Sequence, residues 1–294
     1  MSQRFNNFRG ACSRHRDRAL GLAMTADRPL RVATYNIHKG VGGELFGLPR
    51  AATVHELRRR LHELNADLIF LQEVQGRHDR HARRVPHWPA ESQELFLARS
   101  PLGARGANLR PIFESAYGRN ASYLHGHHGN ALLSRFPILR RAHLDVSDHV
   151  MERRGVLHCA VALAGREVHC FVIHLSLLGA SRERQVAALI DWIRVKVGPA
   201  EPLLIVGDFN DWRHRLSDIL GQALGVQECG SDQPSGSAAR TFPSVMPWLR
   251  LDRIYQRGFA VDQVQVLRGL AWSRLSDHSP LVADLRPLVT ALPV

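Results

Sequence analysis

LLIVGDFND, at residues 203–211, begins as a buried strand and ends in a cluster of polar side chains. Leu203–Val206 are consecutive apolar residues, which is typical of a strand covered on both faces. Asp208, Asn210 and Asp211 follow directly after the strand. Polar side chains at the carboxyl end of a strand are the usual way in which an α/β scaffold builds a functional site. The stretch therefore predicts a sheet-based fold with a site at the end of this strand.

The same arrangement recurs at other predicted strand ends. The further clusters are Asn36-Ile37-His38, Gln72-Glu73, His174, Asp252 and Asp277-His278. Because an unpaired buried carboxylate is costly, packing alone does not account for so many clusters of carboxylate, amide and imidazole groups. The pattern indicates one site assembled from distant segments.

The body of the chain alternates between strand and helix patterns. The predicted strands are 30–36, 67–72, 131–134, 138–145, 156–163, 167–175, 203–206, 251–255, 260–267 and 280–284, and the predicted helices are 51–64 and 182–197. Residues 76–92 are rich in His, Arg and Pro and are predicted to form a loop. Many strands with few helices favour an α/β (α+β) sandwich of two sheets with helices outside over a doubly wound parallel sheet.

The sequence predicts one main domain with two short ends. Residues 1–29 show no clear apolar period and predict a disordered or loosely packed basic N-terminal extension. Residues 30–287 contain no linker and no short repeat, so we expect a single domain there. Residues 288–294 are predicted to be a C-terminal tail.

Composition favours a soluble globular protein. The chain has 294 residues, of which 45% are hydrophobic, and this supports a full core. No apolar run approaches the roughly 20 residues that a spanning helix needs, so we expect a cytoplasmic protein with no transmembrane segment. The cysteines (Cys12, Cys159, Cys170 and Cys229) lack CxxC spacing and are expected to be free thiols.

The formal charge of +12 comes from 39 basic and 27 acidic residues. Such a charge favours a phosphorylated, anionic substrate and leaves nucleic acid and an anionic membrane surface open as partners. Only Lys39 and Lys196 are lysines. A genomic base composition that favours arginine codons therefore accounts for the excess of positive charge equally well. The charge does not choose between these partners, and the oligomeric state is not readable.

Seven motifs together resemble the endonuclease/exonuclease/phosphatase superfamily, whose members share a deoxyribonuclease I-like fold. The motifs are, in order, RVATYNIHKG, LIFLQEV, GNALLSRFPI, FVIHLSL, LLIVGDFND, LDRIY and LSDHSPLVADL. The resemblance covers nearly the whole body, from about Leu30 to Leu285. It implies a four-layer sandwich of two mixed or antiparallel sheets flanked by helices, and a divalent-metal-dependent phosphoesterase.

The resemblance also implies a metal site. Glu73 resembles the principal metal ligand of the superfamily, Asn36 the amide beside the metal, and Asp277 a second contact that is direct or through water. Hard oxygen ligands suit Mg²⁺, which keeps several of its waters. We expect Mg²⁺, with Mn²⁺ as the alternative ion.

Catalytic roles follow from the same resemblance. Asp208 corresponds to the residue that orients or deprotonates the attacking water, and Asn210 to the amide that holds a phosphoryl oxygen or that water. His278 resembles the histidine that contacts the scissile phosphate, and Asp252 the carboxylate that fixes its ring. His174 resembles a second phosphate-contacting position.

Two further residues are candidates for substrate binding, and one position departs from the pattern. Asn130 in GHHGNALLS is expected on the phosphate side of the cleft, and Arg154 is expected either to bind a phosphate or to lie solvated on the surface. The abasic-site endonucleases of the superfamily have an acid where this chain has His38. This difference argues against a two-metal scheme and against close kinship with those enzymes.

Three functions remain open at this point. The first is a Mg²⁺-dependent phosphodiesterase or phosphatase acting on a small or lipid phosphoester, because the site is complete without the abasic-endonuclease features. The second is a DNA or RNA nuclease, which the basic charge favours. The third is a non-catalytic binding module on the same scaffold.

The segment TFPSVMPWL, at residues 241–249, has two interpretations. Phe242, Met246, Trp248 and Leu249 can form an apolar border of the cleft that contacts a lipid or a base. They can also belong to a loop that packs on its own sheet, and this is the interpretation that we favour.

Overall fold

Two six-stranded sheets form the centre of the computed structural model, which describes residues 28–40, 52–85, 87–101, 111–150, 152–231 and 239–288. Within these ranges the strands are β1 (Leu30–Asn36), β2 (Leu68–His78), β3 (Glu114–Tyr123), β4 (Gly126–Ser134), β5 (Ile138–Asp145), β6 (Gly155–Leu163), β7 (Arg166–His174), β8 (Leu203–Asp208), β9 (Gln227–Glu228), β10 (Asp252–Arg257), β11 (Phe259–Val266) and β12 (Leu281–Pro287). The helices are α1 (Ala52–Glu63), α2 (Asp79–Arg84), α3 (Gln93–Ala98), α4 (Gly179–Lys196), α5 (Leu216–Leu224) and α6 (Leu270–Ser273).

Both sheets are mixed. The first has the order β11-β12-β1-β2-β4-β3, in which only β1 and β2 run parallel. The second has the order β5-β6-β7-β8-β10-β9, in which only β7 and β8 run parallel. Each parallel pair lies at the centre of its sheet, so the carboxyl ends of four central strands come to one edge.

Alternation along β8 explains why its sequence is apolar throughout. Leu204 and Val206 face the other sheet and join the core between the two sheets. Leu203 and Ile205 face outward and pack with α4 and α5. Because side chains alternate along a strand, a sheet covered on both faces requires apolar residues at every position. Helix α1 covers the first sheet in the same way, which confirms the predicted four-layer sandwich.

The predicted loop at residues 76–92 is wrong in its first half. Strand β2 continues to His78, and α2 follows directly at Asp79–Arg84. No apolar period marks this short helix. The ring of His78 caps it instead, by accepting a hydrogen bond from the backbone N–H of His81 at 3.0 Å.

Parts of the predicted ends lie outside the described residues. These are residues 1–27 of the predicted extension, with Cys12, and residues 289–294 of the predicted tail. The assignment of residues 30–287 to one domain stays a prediction. Cys159, Cys170 and Cys229 are buried free thiols. No helix in the described ranges has both the length and the apolar character for crossing a bilayer.

A pair of buried histidines joins the middle of β6 to β7, far from the polar strand ends. His158 lies 3.0 Å from His169 between ring nitrogens and stacks on Phe171. Burial, and then the neighbouring His169, lowers the pKa of His158 to about 3. The folded protein therefore keeps this imidazole neutral at pH values where the unfolded chain protonates it.

We predict that this pair makes the protein acid-sensitive. Because the folded-state pKa is depressed, stability falls as the pH drops below the unfolded value, by about 2 kcal/mol between about pH 7 and about pH 5. His158→Gln should reduce that slope, measured as urea unfolding free energies at both pH values. His55→Gln, at an exposed position, is the control. An unchanged slope in His158→Gln would contradict the assignment.

Candidate active site

Strand pairing brings the predicted polar residues to one edge of the sandwich. Asp208 lies beside His174 in the parallel pair β7/β8 and opposite Asp252 in the antiparallel pair β8/β10. Asn36, from the other sheet, donates from Nδ2 to Asp208 Oδ2 at 3.2 Å. This hydrogen bond joins the two sheets at the site.

Asp208 is buried at the centre of the group. Its Oδ1 accepts a hydrogen bond from the backbone N–H of Asn210 at 3.0 Å. Its Oδ2 lies 3.5 Å from His174 Nε2 and 3.8 Å from His278 Nε2. Burial raises the pKa of Asp208 to about 6, although the charge of His278 opposes the shift. The carboxylate is thus a stronger base than an exposed aspartate and is still ionised at neutral pH.

His278 is held as a cation by Asp252. Its Nδ1 donates to Asp252 Oδ2 at 2.7 Å. Burial opposes the positive charge, but Asp252 and Asp208 outweigh it and raise the pKa of His278 to about 10. Thr241 Oγ1 donates to the same Asp252 oxygen at 2.6 Å. The result is a fixed imidazolium whose Nε2 faces Asp208.

His174 has the opposite character. Burial and the nearby positive charges of Arg154 and His278 hold its pKa well below the usual range. It is a neutral imidazole at neutral pH. The site therefore presents two histidines to Asp208, one charged and one neutral.

Left-handed backbone aims several of these side chains. Glu73 has φ 58°, Asn210 has φ 50° and His38 has φ 44°, a conformation that non-glycine residues adopt mainly where the surrounding structure imposes it. Glu73 lies where the β2/β4 register shifts between Leu71 and Val74. Asn210 donates from Nδ2 to the carbonyl of Leu175 at 3.0 Å. The strand ends thus turn sharply into the site.

Glycine is required at Gly207, the residue before Asp208. Its φ is +146°, and a Cβ added there would lie 2.0 Å from the carbonyl oxygen of Ile173 on the neighbouring strand. Only a residue without a side chain lets β7 and β8 approach so closely. The close packing of β7 against β8 therefore explains why the motif GDFN begins with glycine.

Oxygen donors for a metal gather around His38. Asp277 Oδ1 lies 3.2 Å from His38 Nδ1. A hydrogen bond to Asp277 raises the pKa of His38 against the effect of burial, and the charges of Asp277 and Glu73 add to the rise. Burial alone would raise the pKa of Asp277, but His38 and His278 lower it to about 2. Glu73 forms no hydrogen bond or ion pair with any described residue. Glu73 and Asp277 both act on His38, and oxygen donors of this kind fit a hard divalent cation.

A second donor set is buried deeper. One ligand atom each from Asp208, Asp252 and His278 lie within 4.8 Å of one another, and Asp252 Oδ1 has no hydrogen-bond partner among the described residues. This set includes an imidazole nitrogen, however, whereas Mg²⁺ prefers oxygen ligands, and His278 Nδ1 is already hydrogen-bonded to Asp252. The oxygen set of Glu73, Asn36 and Asp277 therefore fits Mg²⁺ better.

Comparison with known proteins identifies the family of this chain. The family model described as "Endonuclease/Exonuclease/phosphatase family" matches residues 33–278. The chain belongs to the endonuclease/exonuclease/phosphatase family. Members of this family are metal-dependent phosphoesterases.

Relatives and solved structures show how broad the family is. The chain is 39% identical over 257 residues to the uncharacterized protein YbhP of Escherichia coli K12, covering 87% of this chain and 95% of YbhP. It is similar in fold to the mannosyl-6-phosphatase Bt3783 of Bacteroides thetaiotaomicron (TM-score 0.62, 20% identity, 87% and 99% coverage). It is also similar to D. rerio TDP2 complexed with a single-strand DNA product (TM-score 0.60, 16% identity, 88% and 99% coverage). At these identities the structures show the fold alone.

In this family member, the two residues predicted to bind substrate form hydrogen bonds within the protein. Asn130 Nδ2 donates to the carbonyls of Gly155 at 2.9 Å and Val172 at 3.2 Å, which links the two sheets and leaves Oδ1 without a partner among the described residues. Arg154 Nη2 donates to Glu152 at 2.8 Å. Arg154 is close enough to His174 to lower its pKa.

Three supporting residues escaped the sequence interpretation. Thr241 holds Asp252, as described above. Ser276 Oγ donates to the carbonyl of Asn36 at 2.6 Å and accepts from the backbone N–H of His278 at 3.2 Å. The buried guanidinium of Arg253 donates to the carbonyl of Asp211 at 2.6 Å and fixes the loop after β8. Ser276 lies inside the motif LSDHSPLVADL, which is a usable signal, whereas Thr241 lies in none of the seven motifs.

We predict that Thr241 is needed to keep Asp252 in place. Thr241→Val keeps the shape but removes the donor, so a buried carboxylate loses a charge-assisted hydrogen bond worth about 1.5–3 kcal/mol. Unfolding free energy should fall by that amount and turnover should fall with it. Thr241→Ser retains the hydroxyl and should stay near wild type in both assays. Equal losses in the two variants would mean that packing of the methyl group, and not the hydroxyl, matters.

Proposed function

We propose that the protein is a Mg²⁺-dependent phosphodiesterase or phosphatase that hydrolyses a small or lipid phosphoester. The observation that carries this proposal is the buried Asp208 carboxylate lying between a charged histidine and a neutral one. Phosphoester hydrolysis needs a base for water and fixed positive charge for the phosphoryl oxygens. Both are supplied by this arrangement.

The roles of the residues follow from their charge states. Asp208 accepts a proton from the attacking water, and the amide of Asn210 orients that water or a phosphoryl oxygen. His278 binds a phosphoryl oxygen as an imidazolium, with Asp252 fixing its ring. His174 donates a hydrogen bond from a neutral ring, which stabilises developing negative charge without repelling His278.

Glu73, Asn36 and Asp277 would hold the metal. When bound, Mg²⁺ supplies Lewis-acid stabilisation of the phosphoryl and leaving oxygens. His38 stands next to Glu73 and Asp277, at the position where the abasic-site endonucleases have an acid. The site therefore lacks that further carboxylate ligand, which favours one metal ion over two. Arg154 would contact the remainder of the substrate, whereas Asn130 is fully buried between the sheets and would support the phosphate side of the cleft from within.

The cavity next to the metal donors supports a compact substrate. A cavity of about 410 Å³ is lined by His38, Lys39, Gln75, His78, His81, Tyr123 and His128. Burial lowers the pKa of His81 and of His128 to about 4, so these imidazoles are neutral. A nucleic-acid track needs several cations along the backbone. Apart from His38 and Lys39, the lining of this cavity is uncharged, which suits the alcohol part of a phosphoester.

A substrate panel tests the proposal. Purified protein should hydrolyse an aryl phosphodiester with Mg²⁺ or Mn²⁺ and lose that activity with a chelator. Phospholipid, sugar phosphate, abasic oligonucleotide and supercoiled plasmid are assayed in parallel. Plasmid nicking that disappears in Asp208→Ala would favour a nuclease instead, and no turnover on any member would refute hydrolysis.

We predict that Asp208→Asn lowers kcat about 10²- to 10⁴-fold, because it removes the base and leaves the geometry in place. Its apparent Mg²⁺ affinity should stay near wild type. Asp211→Asn is a matched control in the same loop. Asp211 Oδ2 accepts from the backbone N–H of Leu216 at 3.0 Å, so this variant should lose stability but retain most of its turnover.

We predict the converse for Glu73→Gln. Its apparent Mg²⁺ affinity, measured by calorimetric titration and by the Mg²⁺ dependence of turnover, should fall more than about tenfold, since losing even an outer-shell partner costs roughly 10- to 100-fold. Glu63→Gln, on the exposed face of α1, is the control. Equal Mg²⁺ dependence in Glu73→Gln and Asp208→Asn would mean that the roles are wrongly divided.

A further inference from the structure

Two groups of exposed apolar side chains flank the candidate active site. Leu177, Leu178 and Trp212 form the first group and Val245, Met246 and Trp248 the second, and we call the six residues the apolar rim. Their exposed fractions run from 40% for Trp212 to 75% for Met246. Large apolar residues scattered singly on a surface are ordinary, whereas groups at a functional mouth indicate a binding surface.

The first group is fixed to the strand ends that carry His174 and Asn210. The guanidinium of Arg182 lies 5.2 Å from the ring of Trp212 and donates to the carbonyl of Leu177 at 3.1 Å. Arg182 thus holds the loop after β7 and the loop after β8 together. The exposed side chains of the first group therefore project from loops that Arg182 holds in place.

The second group is attached to the other side of the site. The backbone N–H of Ser244 donates to the carbonyl of Asp277 at 2.7 Å, and the ring of Phe242 lies 5.0 Å from that of His278. The loop closes on itself through hydrogen bonds between Phe242 and Leu249. The packing interpretation of residues 241–249 therefore fits Phe242 and Leu249, which are partly buried, but not Met246 and Trp248, which are exposed together with Val245.

Positive charge accompanies the apolar rim. Arg213 and Arg215 follow Trp212, and Arg240 precedes Thr241. All three are exposed, and none forms an ion pair with a residue in the described ranges. Tryptophan and aliphatic side chains next to unpaired arginines match the boundary between anionic headgroups and acyl chains.

We propose that the apolar rim docks the enzyme on an anionic phospholipid surface, so that the catalytic mouth faces phosphoesters of membrane lipids. This inference rests on the proposed function for its substrate class. Aromatic and basic side chains also bind single-stranded nucleic acid, but Leu177, Leu178, Val245 and Met246 offer neither stacking faces nor hydrogen bonds. The acyl region of a bilayer can bury all six apolar side chains of the apolar rim.

Vesicle binding tests the docking independently of turnover. Full-length protein is sedimented with vesicles of phosphatidylcholine, with or without phosphatidylglycerol, and tryptophan emission is followed. Wild type should bind the anionic vesicles with a blue shift. Met246→Ser/Trp248→Ser and Leu177→Ser/Leu178→Ser should each bind at least about tenfold more weakly, given the transfer free energy of two apolar side chains.

A matched control separates the rim from general surface hydrophobicity. Leu139→Ser/Val195→Ser removes two apolar side chains that are also exposed but lie at the opposite ends of β5 and α4, and this variant should bind like wild type. All variants should keep the wild-type unfolding midpoint and the wild-type kcat/KM on a soluble aryl phosphodiester, since the rim does not belong to the catalytic machinery.

Several results would overturn the docking proposal. These are no binding of wild type to anionic vesicles, equal binding to both vesicle types, rim variants that bind like wild type, and loss of oligonucleotide binding in the rim variants without loss of vesicle binding. Vesicle binding that depends on the rim, combined with no turnover of any phosphoester, would uphold docking and refute the proposed hydrolysis. The two proposals therefore fail separately.

Discussion

The hydrogen bond from Asn36 to Asp208 places an ionised carboxylate between two sheets, where water does not solvate it. A buried charge without compensation costs several kcal/mol, so the surrounding chain must supply donors and a cation. Asn36, the backbone N–H of Asn210 and His278 meet that requirement. Ser276 then ties Asn36 to His278. Segments that are more than 200 residues apart in the sequence are fixed to one another by the need to compensate one carboxylate.

Reactivity at this edge is obtained at the expense of local stability. Glu73, Asn210 and His38 adopt left-handed backbone conformations, each costing about 1–3 kcal/mol for an ordinary residue. The register shift in β2 turns Glu73 away from the direction that a regular strand would give it. These conformations persist because two six-stranded sheets with covered outer faces hold their strand ends rigidly. A site built from buried carboxylates and histidines on strained backbone needs such a scaffold, since a looser one would relax the strain.

Patterns in the sequence predicted the parts of this structure that depend on local chemistry. Strand periodicity located β1, β6, β7 and β8, and the polar residues that follow strands located Asp208, His174 and His278. Thr241 escaped because a single hydroxyl in a loop resembles many others until its partner, Asp252, is known. Helix α2 escaped because its cap comes from a histidine ring rather than from an apolar period. Arg253 escaped because an arginine inside a strand gives no hint that it is buried.

The apolar rim and the buried charges have a common physical consequence. Asp208 and His278 interact more strongly as the surrounding dielectric falls, and any surface that covers the mouth lowers it further. Protein loops that close over a substrate achieve this in many enzymes. Among the described residues, the two rim groups flank the mouth with exposed side chains, so a surface that seats on them would add a covering layer from outside. A lipid surface that seats on Trp212 and Trp248 would exclude water from the same carboxylate whose burial already raises its pKa, and would thereby couple docking to the strength of the catalytic base.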